Sequence, residues 1–276
     1  MKILAIGDIV GRTGREALAK HLPDLKRKLE PDFIIVNGEN AASGFGLTSK
    51  LAIEMFELGV DVVTLGNHAW DQREMLGYIK EEQRIIRAIN YPRDTPGRGA
   101  AVYQTKTGKK VMVAQVMGRL FMDPLNDPFY ALDALLEQVS LSKPGPSKVD
   151  ALVVDVHGEA TSEKMALGHY LDGKASFVFG THTHIPTADH QVLPSGTAYQ
   201  SDLGMTGDYD SVIGMIKTTS IHRFTKKTPT ERMRPASSDA TVCGALVETD
   251  DATGLSKGIW PVRIGGRLSQ ILPELT

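Results

Sequence analysis

Short apolar runs alternate with stretches in which apolar residues recur every third or fourth position. Residues 2–7 (KILAIG), 32–37 (DFIIVN) and 60–65 (VDVVTL) are bounded by polar or glycine residues, the pattern of buried strands. Between the first two, Leu18, Leu22, Leu25 and Leu29 predict a helix over 15–29, with Pro23 expected to kink or split it. A second helix is predicted from Thr48 to Leu58, with Thr48 as its cap and Gly59 just past its end. A third, over 70–80, runs through Met75, Leu76 and Ile79. Strands are expected at 84–89, 100–105 and 110–116, the last two joined by a turn at Thr107-Gly108. A helix from Phe129 to Val139, a loop over Ser142–Ser147 and a strand over 150–156 follow. Next come a helix over 162–172 opened by Ser162 and a strand over 176–179. Beyond Gly196 short strands dominate, and Val242–Glu248 is expected to pair with Gly258–Ile264 across an Asp-Asp-Ala-Thr-Gly turn. Lys226 and Lys227 fall in a polar stretch read as an exposed loop. Strands with intervening helices come first and strand-rich sequence later, which predicts an α/β core of two packed sheets more than one doubly wound sheet. No linker divides the chain, so residues 1–276 are read as one domain.

Composition removes several function classes. The chain has 276 residues, 41% of them hydrophobic and 23% charged, so it can build a core without covalent staples. A net charge of −2 argues against binding nucleic-acid backbone or anionic membrane by charge alone. The single cysteine, Cys243, excludes an intrachain disulfide and a thiolate zinc cluster. The first apolar stretch ends at Asp8, too short for a signal-peptide core, and no run approaches a membrane span. A cytoplasmic protein is expected. Any transition-metal site must then draw on the eight histidines together with Asp, Glu and Asn.

Ligands gather at the carboxyl ends of strands in open α/β sheets, so the residues that follow each predicted strand carry the most information. They are Asp8, then Gly38-Glu39-Asn40, Gly66-Asn67-His68, His157-Gly158-Glu159 and Gly180-Thr181-His182-Thr183-His184. Taken singly these are caps, turns or ordinary core histidines. Together, five strand ends bear oxygen or imidazole donors. Phosphoester hydrolysis uses such a set: two cations about 3.5–4 Å apart, a bridging carboxylate, terminal N and O ligands, and an acid for the leaving oxygen. Mixed His and carboxylate donors suit Fe, Mn, Co or Zn better than Ca or Mg.

In that order these residues resemble the calcineurin-like metallophosphoesterase signature Asp-x-His, Gly-Asp, Gly-Asn-His, His, Gly-His-x-His. Over nearly the whole chain the match is to one branch, the YmdB-like phosphodiesterases. It is carried by Gly7-Asp8-Ile9-Val10-Gly11-Arg12, Asn37-Gly38-Glu39-Asn40-Ala41-Ala42 and Gly66-Asn67-His68-Ala69-Trp70-Asp71. Glu159-Ala160-Thr161-Ser162-Glu163-Lys164 and Gly204-Met205-Thr206-Gly207 extend it. Two departures from the broad superfamily, Asp8-Ile9-Val10 for Asp-x-His and Glu39 for the bridging Asp, are features of that branch.

The resemblance implies a four-layer α/β/β/α sandwich with two mixed sheets and two metal ions, with iron or manganese suited to the donors. Asp8, Glu39, Asn40 and His184 would hold one ion. Glu39, Asn67, His157 and His182 would hold the other, with Glu39 bridging. A hydroxide between the metals would attack phosphorus, and His68 would protonate the departing oxygen. Asp71 and Glu159 are weighed evenly between orienting an imidazole and serving as caps or surface carboxylates. The implied ligand is a small phosphodiester or cyclic nucleotide, in particular a 2′,3′-cyclic monophosphate opened to the nucleoside 3′-phosphate. Neither a stable nucleic-acid complex nor a membrane is expected, and homo-oligomerisation is left open. The alternatives are a phosphomonoesterase (a nucleotidase or protein phosphatase) and a regulator that binds a phosphorylated ligand without turnover.

Other signals are set against plainer readings. The glycines around Asp8 lack the Gly-Lys-Ser/Thr ending of a phosphate loop. Arg12 is read as a solvated residue at a helix start, with a substrate phosphate as the alternative. Phe45, in a Ser-Gly-Phe-Gly loop, is read as packed on the domain, with base stacking as the alternative. Trp70, Met122 and Tyr130 are expected in the core, and Cys243 as a small buried hydrophobe in a strand.

Overall fold

A computed structural model describes residues 1–141 and 145–273. Part of the expected Ser142–Ser147 loop, residues 142–144, lies outside the described residues. The elements run β1 (Lys2–Ile6), α1 (Gly11–Leu29), β2 (Phe33–Asn37), α2 (Ser49–Glu57), β3 (Val62–Thr64), α3 (Met75–Glu81) and β4 (Ile85–Ile86). They continue with β5 (Ala100–Gln104), β6 (Lys110–Met117), α4 (Pro128–Leu136), β7 (Ala151–His157), α5 (Thr161–Tyr170) and β8 (Phe177–Thr181). The last third holds β9 (Gln191–Val192), β10 (Ala198–Gln200), β11 (Gly207–Asp208), α6 (Lys217–Thr225), β12 (Ala240–Thr249) and β13 (Ser256–Ile264).

Two mixed sheets result. The first has the order β11-β12-β1-β2-β3-β4, with β13 also paired to β12; the second has the order β5-β6-β7-β8-β10-β9. The period of two along each strand builds the layers. Leu4 and Ile6 of β1 face α1 and α2 in one core, while Ile3 and Ala5 face the second sheet. On β6 and β7, Val113 and Val153 fill the inter-sheet core, and Ala114 and Val154 pack under α4 and α5. The layers are therefore helices, sheet, sheet and helices, as the resemblance implied. The expected pairing of the last two long strands holds, with Val242 opposite Ile264 and Glu248 opposite Gly258. Cys243 is buried on β12.

Several expectations are corrected. Pro23 does not split α1, which runs unbroken from Gly11 to Leu29. Pro23 and Ala19 are both exposed, so the carbonyl that loses its donor can bond water. The third helix begins only at Met75, because 67–74 is a string of turns that presents His68 and Asp71. Strand 84–89 shrinks to two residues. Helix α6, which the sequence reading did not foresee, precedes Lys226 and Lys227. Tyr130 is 77% exposed rather than core; its neighbour Phe129 packs inward beside Leu132 and Leu135. Met122 is only half-buried, whereas Trp70 does pack on the first core and meets Tyr91 edge to face. No helix of the described residues is long and apolar enough to cross a membrane.

Candidate active site

Strands β1, β2 and β3 run parallel in the first sheet, and β7 and β8 run parallel in the second. Their carboxyl ends meet at one edge of the sandwich, and each contributes a candidate side chain. All seven proposed ligand residues and His68 arrive there.

Two groups of donors form. His157 Nε2 lies 2.9 Å from Asn67 Oδ1 and 3.1 Å from Glu39 Oε1. Ligand atoms of Glu39, His157 and His182 all fall within 4.8 Å of one another. In the second group, His184 Nε2 is 3.3 Å from Asn40 Oδ1 and 3.8 Å from Asp8 Oδ1. Asp8 also accepts the backbone N–H of His182 at 3.2 Å, which ties the two groups together.

The polar contacts behind these rings aim them. His157 Nδ1 contacts Thr181 Oγ1 at 2.9 Å, and that hydroxyl donates to buried Asp155 at 2.7 Å. His184 Nδ1 sits 2.8 Å from the carbonyl of Ile213, so it donates there and leaves Nε2 as the free lone pair. Asn40 donates its amide to the Gly44 carbonyl, which turns its oxygen toward His184. Glu159 reaches His182 Nε2 at 3.2 Å. His182 and His184 both adopt positive φ, 92° and 68°, a strained backbone that surrounding contacts must hold. Gly66 is required by space: a β-carbon there would strike Glu39 Oε2 and the His157 ring.

Electrostatics follow from this crowding. Burial pushes the Asp8 carboxyl up to about 7 despite its histidine neighbours. Burial would raise Glu39 as well, but the charge and hydrogen bond of His157 pull it down to about 2. Burial disfavours charge on His157, yet Glu39 beside it outweighs that and lifts the ring to about 9. Burial, then the His157 charge, presses His182 down to about 3, so it stays neutral and ready to ligate. A protonated His157 held against ionised Glu39, beside a second buried carboxylate, marks a site built for positive charge. Donor atoms about 3 Å apart also match the spacing of ligands around one cation with bonds near 2.1 Å. The residues present fit metal ions.

His68 stands at the outer side. Its ring Nδ1 meets Asp71 Oδ2 at 2.8 Å, and its backbone N–H donates to Glu39 Oε2 at 2.9 Å. Phe45 lies edge-on to the ring at 5.2 Å. Of the two carboxylates weighed evenly from sequence, Asp71 faces His68 and Glu159 faces His182. Sequence reasoning missed Asp155, which gathers Thr64, Thr181 and Gln115 behind His157. The single carboxylate inside the apolar run 151–156 was the available signal.

A family model described as YmdB-like protein matches residues 4–262. The chain belongs to the YmdB-like family. A relative from Bacillus subtilis, a 2′,3′-cyclic-nucleotide 2′-phosphodiesterase, is 44% identical over 92% of this chain and 93% of its own. Among solved structures, a hypothetical protein from Thermus thermophilus is 44% identical, with a TM-score of 0.88 over 97% of this chain and all of that one. A novel phosphatase from Mycoplasma pneumoniae is 32% identical, also with a TM-score of 0.88, over 96% of this chain and 93% of its own. The fold of this YmdB-like chain is thus shared with phosphoesterases over almost its whole length.

Proposed function

We propose that the protein is a dinuclear-metal phosphodiesterase that opens 2′,3′-cyclic nucleotides to nucleoside 3′-phosphates. The carrying observation is the meeting of seven N and O donor side chains at one edge, with His68 held beside them by Asp71. The likeness to the Bacillus subtilis relative supplies the substrate class. Asp8, Glu39, Asn40 and His184 would hold one ion; Glu39, Asn67, His157 and His182 would hold the other. When bound, the ions supply charge to hold the phosphoryl oxygens and to acidify water for in-line attack.

The chain's own residues complete the reaction. As the P–O2′ bond breaks, negative charge grows on the 2′-oxygen, and His68 Nε2 delivers a proton there. Asp71, on Nδ1, orients the ring and fixes the tautomer left after the transfer. Because the His68 backbone is tied to Glu39, the acid and the bridging carboxylate keep a constant relation. Thr181 and Asp155 hold the His157 ring so that Nε2 faces the reaction centre.

The test is turnover by manganese- or iron-loaded protein of 2′,3′-cyclic AMP and of bis-p-nitrophenyl phosphate. Formation of 3′-AMP, with p-nitrophenyl phosphate cleaved more slowly than the diester, is expected. A preference for the monoester would favour the phosphomonoesterase reading, in line with the Mycoplasma neighbour's description. No turnover of either diester with two ions bound would sink the proposal.

A further inference from the structure

The total charge of −2 conceals a local excess of the opposite sign. Between Lys217 and Ala236 the chain carries six Lys or Arg residues and one carboxylate, Glu231. This stretch is α6 with the loop that follows it, and both ends are anchored. The Ile216 N–H donates to Arg234 O at 2.9 Å, the Ala236 N–H to Gly214 O at 2.8 Å, and Thr13 Oγ1 to Ala236 O at 3.2 Å. Its middle stands across a cleft of about 900 Å³ from the His68 edge of the site. Phe45 and Asp71, which touch the His68 ring, form one wall; Arg223, Lys227 and Arg232 form the other, together with Glu231. A second cleft of about 780 Å³ also borders Phe45 and Arg232 and reaches Arg12 and Arg234.

The cations differ in how far they are neutralised. Lys217 is paired with Asp210 at 2.7 Å and Arg12 with Glu16 at 2.9 Å, while Arg223 donates to the Met233 sulfur. Lys227, Arg232 and Arg234 make no ion pair among the described residues. Lys227 and Arg232 border the cleft beside the proposed acid, and Arg234 borders the second cleft that adjoins it at Arg232. Uncompensated cations so placed are disposed to hold an anion distal to the scissile phosphate. A cyclic mononucleotide has only one phosphate, which the donor cluster would take, and leaves those cations unused.

We propose that this basic cleft is a subsite for a second phosphate, so that the preferred substrate is a 2′,3′-cyclic phosphodiester bearing a further phosphate on its 5′ side. The inference rests on the diesterase reading above. The second phosphate can be a terminal 5′-phosphate on a nucleotide or the internucleotide linkage at the 3′ end of a short RNA.

Three substrates test it with the metal-loaded protein: 2′,3′-cyclic AMP, the same nucleotide with a 5′-phosphate, and a diadenylate ending in a 2′,3′-cyclic phosphate. At least one of the latter two should exceed the first in kcat/KM by about tenfold or more, the worth of a charged hydrogen bond or two. The advantage should shrink as salt rises from about 50 to 200 mM. In Lys227→Ala/Arg232→Ala the ratio should fall toward one. Gain with both substrates supports the subsite and identifies any 5′-phosphate as sufficient; gain with the dinucleotide alone supports it and identifies the RNA end. Equal kcat/KM for all three, with the mononucleotide still cleaved, would overturn the subsite and leave the diesterase standing. Failure to cleave any of them would overturn the reading beneath it.

Discussion

The Lys164 ammonium lies 2.8 Å from the Asp202 carboxylate, and both side chains are almost wholly excluded from water. Lys164 also donates to the carbonyl of Thr181, and Asp202 accepts from the backbone and hydroxyl of Thr183 and from the Gly204 N–H. The pair therefore clasps the strained loop that carries His182 and His184. Replacing Lys164 by Met leaves a buried carboxylate unpaired, and unfolding by denaturant should show a loss of about 3–5 kcal/mol. Metal affinity should fall with it, and Lys164→Arg should recover part of both. A Met variant as stable as the parent, with unchanged metal affinity, would remove the clasp from the account.

His68 sits beside the donor cluster without entering it. His68→Ala should lower kcat by about 10²–10⁴-fold, the range for a lost general acid, while metal content stays the same. Asp71→Asn keeps the ring in place and removes the charge behind it, so its kcat should fall between those of the parent and the alanine variant. Metal analysis alongside steady-state kinetics separates the acid from a ligand.

Glu39 has Oε1 on His157 and Oε2 on the His68 N–H, and in the proposed reading it bridges the two ions. Metal analysis of the purified parent should find two ions per chain, and Glu39→Ala should retain fewer than one. Two ions in the alanine variant would show that Glu39 does not bridge.

Acidity makes the metal-free protein sensitive to pH. Asp8 is raised from 3.8 to about 7 and His157 from 6.5 to about 9. A raised folded-state value means the folded chain holds its proton more tightly. The stability this confers is full below the unfolded value and is lost as pH rises through the folded one. The stripped protein should thus melt at a lower temperature at pH 9 than at pH 6.5. Added manganese should raise the melting temperature more at pH 9, because fewer protons remain to be displaced. Thermal melts with and without chelator, at both pH values, provide the check.

Much of the site was readable because its parts follow strands whose apolar runs are unambiguous. Asp8, Glu39, Asn67, His157 and His182 each come within a few residues of a strand end, and the rule that ligands gather there needs no knowledge of distant partners. Thr48 was likewise readable as a cap, and its hydroxyl does accept from the Leu51 N–H. What escaped depends on partners remote in the chain. Lys164 stands on a helix face like any surface lysine; only the return of Asp202 to its side explains its burial. The third helix starts late because Glu74 is engaged by the backbone and hydroxyl of Ser49, and His68 by Asp71, contacts no local period encodes. Phe129 and Tyr130 are adjacent aromatics, and only the register of α4 on the second sheet decides which one faces inward. Helix α6 was hidden by its polar composition, with Ile221 and Phe224 its only large apolar side chains, and with it the charge that the whole-chain total cancels.

The order of strands in the first sheet sets a timetable. Strand β1 precedes both of its neighbours in the chain, yet it lies between β2 and the much later β12, with Lys2 opposite Glu248. One side of β1 stays unpaired until β12 has been made, and closing so long a loop is slow. Asp8, which directly follows β1, must wait for that closure, and its backbone partner Thr206 comes late as well. A nascent or prematurely terminated chain therefore has most of its donors but no finished cage.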